Sequence, residues 1–354
     1  MGRRSRLKPG DVVEVRSSAE ILATLNGDGS VEGMPFMPEM LRHVGKRFTV
    51  SHRVERICDT ISSSHGSRRM RNTVFLEDLR CDGAGHGGCQ AGCRIYWKEA
   101  WLRRVDPDVA VTGEDNGSTE LHQIARRSTR AEREIDGAVK EVYRCQATEA
   151  LRATEPLSRF DPSQYIRELA SGNVRVSRLL RVLGQALRGR LRRSLGALAR
   201  ALRIPVPRQF RGSDHPSIPH DASSDTPTVA PNVRPGEMVE VRSYEEIQRT
   251  LDERHRNRGL WFDVEMFPYC GGRYRVQDRV QRIINERNGC MIELSSDCLI
   301  LEGVVCRGEH SPGRWFCPRA IYPYWREAWL RPVEDSDPSA PRDSPSREER
   351  ATPP

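Results

Sequence analysis

The residues best suited to chemistry are cysteines. Ten occur in the chain, and three of them fall within thirteen residues in the run Cys81-Asp-Gly-Ala-Gly-His86-Gly-Gly-Cys89-Gln-Ala-Gly-Cys93. Cys58 ends the preceding strand-like segment, where a small barrel would bring it alongside. Four thiolates close a tetrahedral site, so Cys58, Cys81, Cys89 and Cys93 form the first candidate metal set, with His86 as a substitute ligand or proton carrier. Zinc suits four thiolates at about 2.3 Å, and an iron-sulfur cluster uses the same ligands, so the sequence leaves both open. Glycines at 83, 85, 87, 88 and 92 let the connecting loop curl tightly and turn N–H groups toward sulfur. The competing reading is a group of small buried thiols beside a glycine loop. Paired CxxC knuckles, the usual mark of a zinc ribbon, are missing.

Those cysteines sit in a unit that occurs twice. Lys8-Pro-Gly-Asp-Val-Val-Glu-Val-Arg-Ser17 returns as Arg234-Pro-Gly-Glu-Met-Val-Glu-Val-Arg-Ser243. Tyr96-Trp-Lys-Glu-Ala-Trp-Leu-Arg-Arg-Val105 returns as Tyr324-Trp-Arg-Glu-Ala-Trp-Leu-Arg-Pro-Val333. Self-similarity of this length dictates the architecture. It divides the chain into a first repeat over 8–105, a helical insert over 115–204, a flexible linker over 205–233, a second repeat over 234–333 and a disordered tail over 334–354. In the second copy Cys306 and Cys317 align with Cys81 and Cys89, but Ile284 and Ile321 stand at the positions of Cys58 and Cys93. A second candidate set is Cys290, Cys298, Cys306 and Cys317. Cys145 and Cys270 read as ordinary buried residues.

Alternating apolar residues mark strands at Val12–Val15, Phe48–Ile57 and Val74–Leu79, and Ser17 and Ser18 open a short helix over 19–25. The expected fold class is α+β: two homologous small β-barrels of the SH3-like kind joined by the helical insert and linker. Trp97, Trp101, Trp325 and Trp329 read as core. Glu39 and Glu265, in matching Glu-Met contexts, are either general bases or turn caps.

Within the insert, 118–154 has helical composition, and 174–203 carries leucines on one face and arginines on the other. Two expectations compete for that helix. Its apolar face docks on the barrels, or the segment makes peripheral contact with an anionic membrane. The net charge is +8, yet four lysines stand among 57 cations and the arginines are scattered along the chain. That scatter, with no recognisable module, argues against a nucleic-acid binder. The basic start leads into the first strand without an apolar stretch, so the expected location is the cytoplasm, with peripheral membrane contact as the variant.

The Cys-Asp-Gly-x-x-His-Gly-Gly-Cys-Gln-Ala-Gly-Cys run, the Phe316-Cys-Pro-Arg-Ala-Ile-Tyr-Pro-Tyr-Trp-Arg-Glu-Ala-Trp-Leu330 run and the helices between them resemble a family of uncharacterised bacterial proteins, over about residues 8–333. The resemblance implies two repeats around an insert and transfers no catalytic residue. Phosphate-cradling, nucleophile-elbow, zinc-protease and dinucleotide motifs are all missing. The leading expectation is therefore a metal-binding accessory or binding protein, with zinc or an iron-sulfur cluster and a protein partner or small-molecule substrate. The alternatives are a metal-dependent redox or tailoring enzyme and a peripheral membrane adaptor.

Overall fold

A computed structural model describes residues 6–62, 66–106, 118–158, 161–201, 232–311 and 314–333. The chain is mixed α+β, with curled antiparallel half-barrel sheets and few helices. Contacts divide it into two compact units. The first is Met1–Arg178 with Arg282–Glu293 and Gly313–Ile321, and the second is Leu179–Gln281, Leu294–Pro312 and Tyr322–Pro354. These units are not coextensive with the sequence repeats, because two stretches of the second repeat belong to the first unit.

In the first unit, β1 (Val12–Val15), β2 (Arg47–Arg53), β3 (Thr73–Arg80), β4 (Arg94–Lys98) and β5 (Leu102–Arg104) form one sheet in the order β4-β3-β2-β1-β5. Helix α1 (Ser18–Leu22) opens on a capping box in which the Ser17 hydroxyl accepts from the Glu20 N–H and the Glu20 carboxylate accepts from the Ser17 N–H. The inward residues of β1, Val13 and Val15, are fully buried with Ile21, Phe36, Val74, Trp97 and Trp101. Phe36 meets Trp101 edge to face at 5.3 Å, an arrangement worth about 1 kcal/mol beyond the area it buries.

The insert was expected to be helical over 118–154, and the structure differs. Helix α2 (Thr119–Arg127) is followed by a hairpin of β6 (Arg130–Ile135) and β7 (Ala138–Tyr143), then by α3 (Gln146–Glu149). The reason is the Asp136-Gly137 pair, whose φ angles of 53° and 77° are those of a tight two-residue hairpin turn. The register that turn imposes pairs Ile135 with Ala138 and carries through to Arg130 with Tyr143. Helices α4 (Ser163–Ala170) and α5 (Val176–Ala201) complete the insert. The linker 205–233 falls outside the described residues except at 232 and 233, as does the whole tail 334–354.

The second repeat keeps the strand order of the first, except that the counterpart of β4 is reduced to an isolated bridge between Leu299 and Trp325. Strands β8 (Met238–Val241), β9 (Arg273–Ile284), β10 (Met291–Leu301) and β11 (Leu330–Pro332) order as β10-β9-β8-β11, and α6 (Tyr244–Gln248) carries the same capping box at Ser243 and Glu246. Val239 pairs with Tyr274 and Pro332 where Val13 pairs with Phe48 and Arg104. Phe262 meets Trp329 edge to face at 5.4 Å. An ion pair is duplicated too: Arg53 holds Glu99 and the Leu7 carbonyl, and Arg279 holds Glu327 and the Val233 carbonyl. All four shared tryptophans are fully buried, which bears out their reading as core.

Candidate metal centre

Cys81 directly follows β3 and Cys93 directly precedes β4. The Cys81 N–H donates to the Cys93 carbonyl at 2.8 Å, so the two thiols flank the mouth of the loop that joins these strands. Within the loop, the His86 and Gly88 N–H groups both donate to the Gly83 carbonyl, and the Cys89 N–H donates to the His86 carbonyl. Gly83 has φ +69°, and a Cβ there would lie 2.1 Å from the Cys89 carbonyl oxygen. Gly87 has φ +65°, and a Cβ there would lie 2.1 Å from the Tyr143 hydroxyl. Glycine is required at both positions for space as well as for conformation.

The loop closes a cavity of about 60 Å³ whose wall carries four thiols: Cys81, Cys89, Cys93 and Cys145. Cys145 is the residue the sequence reading set aside. It enters from the exit of the β6–β7 hairpin, where three consecutive residues each do something at the site. The Arg144 carbonyl faces His86 Nε2 at 3.1 Å, Cys145 supplies the fourth thiol, and Gln146 takes the place of a neighbouring strand along Tyr96. Gln146 Oε1 accepts from the Tyr96 N–H at 2.8 Å, and its Nε2 donates to the Tyr96 carbonyl at 2.9 Å and the Pro35 carbonyl at 3.1 Å.

Cys58 does not join these thiols. It lies on the short strand Arg56–Cys58, off the cavity wall, and its partner is Cys317: the Cys58 N–H donates to Cys317 Sγ at 3.2 Å, and the thiols are hydrogen-bonded to each other. The bond to Cys317 and burial both push the Cys58 thiol up. Burial also pushes Cys317 up, but the Cys58 thiol, the Arg319 guanidinium and backbone N–H groups outweigh it and hold that sulfur below the usual thiol range. The second candidate set is not assembled either. Cys317 is committed to Cys58, Cys298 is buried with its sulfur 3.5 Å from an Arg326 nitrogen, and among the described residues no three of Cys290, Cys298, Cys306 and Cys317 place their sulfurs within 4.8 Å of one another.

Burial sets the protonation of the cavity thiols. It raises Cys93 to about 12, with the Glu286 carboxylate adding to the effect, and Cys145 to about 11. Cys81 is raised further, by burial and then by the nearby Glu39 carboxylate. The three are neutral thiols at physiological pH, the reverse of an activated nucleophile. Sulfur is nonetheless offered a donor, since the Ile284 N–H points at Cys89 Sγ at 3.3 Å. Ile284 and Ile321, the second-copy counterparts of Cys58 and Cys93, are themselves on the cavity wall, and so are Arg94 and the ion pair of buried Arg319 with half-buried Glu286. Tyr96 is on the wall too, and its hydroxyl is buried with no hydrogen-bond partner.

One group of three donor atoms within 4.8 Å of one another occurs among the described residues: Glu39, Cys81 and His86. Glu39 Oε1 meets His86 Nδ1 at 2.7 Å and accepts from the Gly85 N–H at 3.0 Å, while its Oε2 is buried without a partner. Burial raises Glu39, but the hydrogen bond and charge of His86 outweigh it and leave the carboxyl below its usual range. A backbone carbonyl can only accept, so Nε2 carries a hydrogen toward Arg144 and Nδ1 is engaged by Glu39. Neither nitrogen is left to take a proton from a thiol, which removes a Cys-His-Glu relay. In the second copy, Glu265 accepts from the Glu309, His310 and Ser311 N–H groups at 3.1, 2.8 and 2.8 Å. Both glutamates therefore anchor the corresponding loop, and in the first copy a histidine ring has taken the place of some of the backbone donors.

No family model, curated protein or solved structure matches the chain. What the site does rests on its own geometry.

Proposed function

We propose that the protein is a metal-binding accessory module whose first unit holds an iron-sulfur cluster through Cys81, Cys89, Cys93 and Cys145. The observation that carries this reading is that Cys81, Cys89, Cys93 and Cys145 line one largely apolar cavity without three of their sulfurs meeting at a point. Two sulfurs bound to one zinc at about 2.3 Å stand at most about 4.6 Å apart, and no three of these sulfurs lie within 4.8 Å of one another. A cluster is a body with its ligands spread around it, and it suits a largely apolar cavity of the kind these residues line. Arg94 and Arg319 on the same wall offset the negative charge that four thiolates and the cluster carry, and the Ile284 N–H supplies a hydrogen bond to sulfur of the sort that tunes such centres.

In this reading each curled sheet is an SH3-like barrel left partly open, and the first repeat has turned its β3–β4 loop into a ligand loop. The engagement of both His86 nitrogens favours a structural or electron-holding centre over one that turns over a substrate. The test is anaerobic purification with visible absorption spectra for wild type, Cys145→Ala and Cys58→Ala. Cys145→Ala is expected to lose the cluster band and Cys58→Ala to keep it; the opposite pattern would restore the set read from the sequence.

A further inference from the structure

Helix α5 runs for 26 residues, about 39 Å at 1.5 Å per residue. Its sequence contains seven arginines and no acidic residue. Val176, Leu180, Leu183, Leu187, Leu191, Leu195 and Leu198 recur every three or four positions and so fall on one stripe. That stripe faces outward. Leu180, Leu187, Leu191 and Leu198 are between 57 % and 68 % exposed, whereas Val182, on the far side of the helix, is 1 % exposed. The expectation that the apolar face docks on the barrels is therefore not met: the leucines of the stripe are left uncovered. Arg188 and Arg190 are exposed and lie on opposite flanks of the stripe.

We propose that α5 binds an anionic lipid surface, with the leucine stripe in the acyl boundary and the arginines among the headgroups. Charge decides between the occupants such a face could take. A second copy of the helix would set seven arginines against seven with no carboxylate between them, and a nucleic acid would use the arginines while leaving the leucines in water. A bilayer bearing phosphatidylserine satisfies both faces at once, because arginine stems lie along apolar surface while their heads reach the phosphates. Among the described residues no helix is long and apolar enough to cross a membrane, so the contact is interfacial.

The experiment is flotation of the full chain with phosphatidylcholine vesicles, with and without phosphatidylserine, at low and high salt. A Leu187→Gln/Leu191→Gln double variant is run alongside. Both residues are exposed, so the variant should fold, and circular dichroism checks that its helix is retained. Wild type is expected to float with the phosphatidylserine vesicles only, less so at high salt, and its vesicle affinity should fall roughly tenfold or more for each leucine replaced. Cys145→Ala should float like wild type, which separates this proposal from the cluster reading. Wild type that fails to float, a double variant that floats equally well, or a non-floating dimer that the double variant converts to monomer would each overturn it.

Discussion

At the scale of single residues, the most consequential contact is the buried pair of Glu39 and His86, each side chain 1 % exposed. Removing one member of a buried pair strands the other, at a cost of about 3 to 5 kcal/mol, whereas removing both strands neither. Glu39→Ala and His86→Ala are each expected to lower stability by about 3 kcal/mol, with the double replacement well below the sum; additive shifts in the urea midpoint would show that the pair does not act as one unit. The same residues show how far the site was readable in advance. Glu39 stood out because its context recurs at Glu265, and turn capping was one of the two roles open to it. His86 was visible as a candidate ligand, but its engagement at both nitrogens depends on Arg144, far along the chain, and spacing carries no such information. Cys145 was missed for the same reason. Cys58 is close to the loop in sequence, whereas Cys145 reaches the cavity wall from beyond the insert's first helix and hairpin.

At the scale of elements, the duplicated strands were legible because both faces of the repeat are written in matching apolar positions, from Val13 and Val239 at the start to Trp101 and Trp329 at the close. The β6–β7 hairpin was not, although Asp136-Gly137 is a strong local turn signal: its strands are mostly exposed, so they lack a regular apolar alternation and their charged residues read as helical composition. The exit of that hairpin carries Arg144, Cys145 and Gln146 to the cavity and its loop. Helix α4 carries the clearest pH response. Glu168 is 1 % exposed, its Oε2 accepts from Asn173 Nδ2 at 2.7 Å, and the Asn173 amide in turn pairs with the Arg53 N–H and carbonyl on β2. Burial raises its pKa to about 7 from 4.5, aided by Glu55 and opposed by Asn173, Arg56 and Arg178. Between those values the folded chain keeps a proton that the unfolded chain has released, so this group's contribution to stability falls as pH rises through the window. The loss is about 3 kcal/mol. His43 and His52, held neutral by burial with pKa values of about 4, act in the opposite sense over much of the same range. The informative quantity is therefore the difference between wild type and Glu168→Gln. That difference should shift by about 3 kcal/mol in the variant's favour from about pH 4 to about pH 8, and a constant difference would show that Glu168 titrates normally.

At the scale of the whole molecule, the duplicated repeats each carry a curled antiparallel sheet, and residues of both line a cavity bearing Cys81, Cys89, Cys93 and Cys145. Ile284 and Ile321, which stand in the second copy at the positions of Cys58 and Cys93, wall the cavity lined by the first copy's cysteines. Arg319 and Glu286 come from the same two stretches of the second repeat, 313–321 and 282–293, that belong to the first compact unit. The repeat boundaries were plain from the sequence, but the sharing of one cavity between the repeats was not, because an internal alignment compares copies without saying what they touch. The central claim is that this cavity holds a polynuclear centre. Elemental analysis of the anaerobically purified full chain tests it most directly: iron and acid-labile sulfide in equal amounts, stoichiometric with protein, is the predicted result, and a single zinc without sulfide, or no metal at all, would contradict it.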